Sequence, residues 1–128
     1  MSQGLADTSI FIADESGRPI ASHQIPDQLA VSVITIGELR AGVLGARSTS
    51  IRDQRLTTLT EALQFDPIPI DENVAAAWAR LRVLLRDEQL KMPINDSWIA
   101  ATAMSLDVPV ITQDKDFPDL PGLDIVLV

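Results

Sequence analysis

The chain contains no cysteine, no tyrosine and a single histidine, and its aromatic content stops at two tryptophans and three phenylalanines. Without cysteine there are no disulfides and no thiolate zinc sites, and the lone His23 cannot build a histidine-rich metal site. Any metal must therefore be held by oxygen. Basic side chains are also scarce: ten Lys and Arg stand against eighteen Asp and Glu, for a formal net charge of -8. Such a field repels polyanions, so an activity on a phosphodiester needs a cation to bridge carboxylate to phosphate. No apolar run approaches the roughly 20 residues of a membrane span. The N-terminal "GLADTSIFIA" is too short and too acidic for a signal peptide. These features predict a soluble, cytoplasmic protein with no membrane contact. The length of 128 residues suits one compact domain, 1–128, with a single core.

What is present is an alternation of short apolar segments with segments of helical period. Strand character recurs around Leu5 and Ala6, in "LAVSV" (29–33), "PIPI" (67–70), "VIT" (110–112) and the C-terminal "DIVLV". Between them, helices are expected from about Thr35 to Ala46, through Ile51, Leu56, Leu59 and Leu63, along Val74, Trp78, Leu81 and Leu85, and from near Asn95 to Leu106. This alternation predicts an α/β domain with a mostly parallel central sheet of about five strands flanked by helices. The two helices at 50–63 and 71–90 are expected to pack as a hairpin, and Trp78 and Trp98 to serve as core.

Four acids fall at equivalent places in that architecture. Asp7 ends the first strand, Glu38 opens the helix after "AVSV", Asp96 lies in the first turn of the helix begun by "NDSWIAATA", and Asp114 closes the strand "PVIT". In a right-handed parallel sheet, strand C-termini and the N-termini of the helices lie along one edge, where open α/β sheets bind ligands. Each acid also has an ordinary structural role open to it. Thr35 and Glu38 fit a capping box, Asn95 can cap the helix carrying Asp96, Asp7 can cap the first helix, and Asp114 can close a turn. Asp96, however, shares a face with the apolar Ile99, Ala100, Ala103 and Leu106, and so points over the core. Carboxylates within about 5 Å of each other cost on the order of 3 kcal/mol per pair, more than any cap returns. Such a cluster stays ionised only around a hard divalent cation, Mg²⁺ or Mn²⁺.

"ADTSIFIA" (6–13), "TIGELRAGVL" (35–44), "NDSWIAATA" (95–103) and "PVITQDKDF" (109–117), in this order, resemble the PIN-domain ribonuclease toxins of the VapC type. The resemblance implies a Mg²⁺-dependent (or Mn²⁺-dependent) endoribonuclease. Its metal would be held by Asp7, Glu38, Asp96 and Asp114, with Asp116 as a fifth acid and Thr8 and Thr112 orienting the ligands. It further implies a homodimer and a cognate VapB-type antitoxin that silences cleavage of the RNA substrate. Lys91 stands where relatives often carry arginine. Lys91, with Arg40, Arg47, Arg80 and Arg86, is a candidate for RNA or partner contacts. Two other classes compete: a PIN-like binding module with vestigial carboxylates, and a phosphoryl-transfer domain of receiver type. The latter fits less well, because Asp7 has no paired acid beside it and Lys115 sits between two acids instead of ending a late strand.

Overall fold

The structure, a computed structural model, describes residues 2–128. Four parallel strands form one sheet in the order β2-β1-β3-β4: β1 (Gln3–Ala6), β2 (Gln28–Val31), β3 (Val110–Thr112) and β4 (Ile125–Leu127). The proline-interrupted segment 67–70 contributes only a bridge, Ile68 to Ser32, beyond the end of β2. Each proline there lacks the N–H that a longer ladder requires.

Five helices cover the sheet: α1 (Thr8–Ser16), α2 (Val33–Leu44), α3 (Thr49–Leu63), α4 (Glu72–Asp87) and α5 (Ile94–Leu106). The alternation of side chains along a strand divides the core between the two faces. Leu5 and Val110 pack with Leu81, Leu85, Ile99, Ala100 and Ala103 of α4 and α5. Their neighbours Ala6 and Ile111 turn the other way, onto Ile10, Phe11, Ile36, Leu39 and Leu59 of α1, α2 and α3.

The expected hairpin of α3 and α4 does not form. α3 packs on α2 and α1, while α4 packs on α5 across the sheet. The chain between them carries the Ile68 bridge, which ties it to the sheet and sends the next helix to the opposite face. Consequently Ile51, Leu56 and Leu63, expected as a packing stripe, are exposed, and only Leu59 of that series is buried. Two basic residues of α3 are structural and tie it to the end of α2. Arg55 donates to the Gly42 carbonyl at 2.8 Å and Arg52 to the Ala46 carbonyl at 3.2 Å, satisfying oxygens at the end of α2.

Candidate active site

Because all strands run parallel, β1 and β3 end side by side, and the Asp7 amide donates to the Ile111 carbonyl at 2.9 Å. Asp7 is the N-cap residue of α1 by position, yet its side chain makes no capping hydrogen bond. Instead the buried carboxylate accepts from the Thr112 hydroxyl at 2.7 Å. The Thr112 oxygen also accepts the Asp114 amide at 2.9 Å and lies 3.1 Å from the Ser9 hydroxyl. Ser9 in turn accepts the Gln113 amide at 3.1 Å. Since Thr112 gives its proton to Asp7, Ser9 donates to Thr112, and the bonds run in one direction towards the carboxylate.

A second relay serves Glu38. The Thr8 hydroxyl donates to Glu38 Oε1 at 2.8 Å and lies 2.8 Å from the buried Thr35 hydroxyl, which must then be the donor to Thr8. The capping-box expectation fails here. α2 begins at Val33, its cap is Ser32, whose side chain accepts the Ile34 amide, and Glu38 lies beyond the first turn. Thr35 is inside the helix and faces the site. Asn95 is likewise no cap: α5 begins at Ile94 after Pro93, which leaves Asp96 in its first turn as expected.

Three of the acids act on the fourth. The Asp96 carboxyl is pushed up from 3.8 to about 6, first by burial and then by the negative charges of Asp7, Asp114 and Glu38. Asp116 is not among these charges. It is exposed, and its amide donates to Asp114 Oδ1 at 2.8 Å, so Asp114 also closes the turn expected of it. No arginine or lysine neutralises the group: among the described residues the one ion pair is Arg86 with Asp87, 3.1 Å apart and well exposed. Arg40, Arg47, Arg80, Arg86 and Lys91 are all exposed. As they stand, no three acidic side chains among the described residues close tightly enough to chelate an ion. Like charges resist such an approach, and drawing their oxygens onto one point takes a counter-charge. The donor set suits a hard divalent ion, being all oxygen and without an internal cation.

The PIN domain family matches residues 5–123. The chain belongs to the PIN-domain family. Within it, the chain is 50% identical over 119 residues to "Ribonuclease VapC5" of Mycobacterium tuberculosis, covering 93% of this chain and 88% of that protein. It is 43% identical over 126 residues to "Ribonuclease VapC4" of the same organism, covering 98% and 97%. The crystal structure of VapBC-5, a toxin-antitoxin system from M. tuberculosis, superimposes with a TM-score of 0.91 at 43% identity over 100% of both chains. These similarities place the chain with the VapC ribonucleases.

Two features of this VapC-type chain escaped the motifs. Thr35 and Ser9 complete the relays, and neither hydroxyl can be assigned a partner 27 or 103 positions away from local pattern. The tryptophans pack as expected, against the buried Val74, Ala77 and Ala101, but at the margin of the core. Half-buried Trp78 and Trp98 stack at 4.3 Å with planes 5° apart, and the Arg82 guanidinium lies 5.5 Å from the Trp78 ring centroid. Trp78 Nε1 donates to Ser97 Oγ at 2.9 Å, fastening α4 to the turn that carries Asp96.

Proposed function

We propose that this chain is the toxin of a VapBC-type toxin-antitoxin pair, a Mg²⁺-dependent endoribonuclease whose cation is held by Asp7, Glu38, Asp96 and Asp114. The observation that carries this reading is the environment of Asp96, whose pKa is raised first by burial and then by three carboxylates distant in sequence, with none of the four in an ion pair among the described residues. Family membership supports the reaction class.

When bound, the divalent ion supplies positive charge against the phosphate and lowers the pKa of water. The chain's residues prepare that chemistry. Thr112 holds the Asp7 carboxyl in place by donating its hydroxyl hydrogen to Oδ2. Thr8 does the same for Glu38, and the rigid first turn of α5 presents Asp96. Asp116 serves from the periphery through the Asp114 turn. Family resemblance extends the reading to a homodimer and a cognate VapB-type antitoxin. The exposed Ile51, Leu56 and Leu63 of α3 and Val83 of α4 are apolar surface that such partners would cover. Among the described residues no helix is long and apolar enough to cross a membrane.

The test is cleavage of single-stranded RNA by the purified protein with Mg²⁺, with EDTA, and with the Glu38→Gln variant. Cleavage that needs Mg²⁺ and is lost in Glu38→Gln is expected, with 5′-phosphate ends. Cleavage that survives EDTA overturns the metal reading. A Glu38→Gln variant of wild-type rate removes Glu38 from the ligand set.

A further inference from the structure

Beside the acids, one face of α2 and the first turn of α5 enclose an open recess of about 460 Å³, lined by Val33, Ile34, Gly37, Glu38, Ala41 and Asn95. Its volume lies in the roughly 300–1,000 Å³ range of small-ligand clefts. Its floor is open at Gly37, the one residue of its lining without a side chain. Gly37 sits inside a helix, where glycine costs stability relative to alanine. Its backbone does not need a glycine: its φ is not left-handed, and an added Cβ would meet nothing within 4 Å. Neither packing nor conformation explains the residue. An open space does.

We infer that this recess is a nucleotide subsite, receiving an unpaired base of the RNA next to the phosphate that is cleaved. The inference deepens the nuclease reading and rests on it. Unpaired RNA is recognised through bases splayed out of the stack, which bury their flat faces on apolar surface and present hydrogen-bonding edges to polar groups. Here Val33, Ile34 and Ala41 supply the apolar wall, and Asn95 the one uncharged side-chain amide, with both donors and an acceptor. Continuity with the acids decides for a base over a protein side chain as occupant. Glu38 is a wall of the recess and a member of the acidic group, and Asn95 precedes Asp96, so a phosphate at the carboxylates places a neighbouring base within reach. Asn95 thereby sets nucleotide preference.

The experiment compares wild type, Gly37→Ala, Gly37→Leu and Asn95→Ala on a randomised single-stranded RNA pool with Mg²⁺, reading rate and sequenced cut sites. Folding is checked by thermal melting and the acids by calorimetric Mn²⁺ binding. The expected result is at least a tenfold fall in cleavage for Gly37→Leu, a smaller one for Gly37→Ala, and unchanged Mn²⁺ affinity and fold in both. Asn95→Ala should redistribute the cut sites. If Gly37→Leu cuts at the wild-type rate with the wild-type distribution, the subsite is overturned while the nuclease reading stands. The subsite is equally overturned if Gly37→Leu slows cleavage only by weakening Mn²⁺ binding or melting the fold while Asn95→Ala cuts as wild type. A wild-type protein that cuts no RNA overturns both.

Discussion

Replacing Asp96 by Asn should make the metal-free protein more stable and the enzyme inactive. Asp96 has a folded pKa of about 6 against an ordinary 3.8. The folded state thus binds its proton more tightly than the unfolded chain does, and stability falls as pH rises between those two values and stays lost above about 6. Converted in full, that difference is about 3 kcal/mol. The carboxyl is only partly buried, so solvent screening brings it nearer ~1.5 kcal/mol. Asn carries no charge to desolvate or to repel and regains this, less the ~0.5 kcal/mol that an acid gains in a helix's first turn. The net is about 1 kcal/mol, or roughly 3–5 °C in Tm for a domain of this size. The assay is thermal melting of both proteins in EDTA at about pH 7.5 and about pH 3, bracketing the two pKa values. The variant should lead at the higher pH and lose its lead at the lower. Saturating Mn²⁺ should reverse the order at neutral pH, since a ligand at a hundred times its Kd stabilises the wild type by about 2.7 kcal/mol and the variant by far less. An Asn variant that melts below wild type in EDTA at neutral pH, or a difference independent of pH, refutes the burial of Asp96 beside the other three charges.

The relays give two further expectations. Thr112→Val removes the hydrogen bond to the buried Asp7 carboxylate, worth about 1.5–3 kcal/mol for a charged acceptor. Urea unfolding should show that loss with the slope unchanged, Thr112→Ser should recover most of it, and a valine variant of full stability would sink the assignment. Thr35→Val leaves Thr8 bonded to Glu38 but removes the donor behind it. Mn²⁺ affinity measured by calorimetry should fall about 10-fold or more, as for other groups that orient a ligand from behind, with Thr35→Ser near wild type. Equal affinity in Thr35→Val would leave Thr35 a packing residue.

The acids were legible in the sequence because their meeting depends on topology alone. Once β1, β2 and β3 are parallel, Asp7, Asp114 and the first turns of α2 and α5 share an edge whatever the loops do. Glu38 shows the limit of local pattern. Thr-x-x-Glu reads as a capping box, but the cap belongs to Ser32, at the end of β2, and the Thr35 hydroxyl turns to Thr8 across the fold. A local rule loses to a tertiary bond here because the buried hydroxyl needs a partner wherever one is found. The stripe of α3 failed for a related reason. Ile51, Leu56 and Leu63 show that a face is apolar, and nothing in their spacing says whether the cover comes from this chain or another. The tryptophans were legible as packing residues, against Val74, Ala77 and Ala101, but stripe spacing does not show that they stack on each other half-buried with Arg82 beside one ring.

The charge balance predicts that the cation binds before RNA. A chain of net charge -8 that also gathers four carboxylates at its site offers RNA repulsion at long range and at contact. Nucleases that hold RNA by Lys and Arg lose affinity steeply with salt, as counterions compete for the phosphates. This chain should behave otherwise, since its arginines either hold carbonyls, as Arg52 and Arg55 do, or lie exposed away from the acids' hydrogen bonds. Fluorescence anisotropy of a labelled single-stranded RNA should stay flat in EDTA at any NaCl concentration. It should rise on adding Ca²⁺, a hard oxygen-seeking ion of looser geometry than Mg²⁺. Tight binding in EDTA that weakens steeply with salt would instead put the RNA on Arg40, Arg47, Arg80 or Arg86. It would also remove the cation from its place as the bridge between an acidic protein and an acidic substrate.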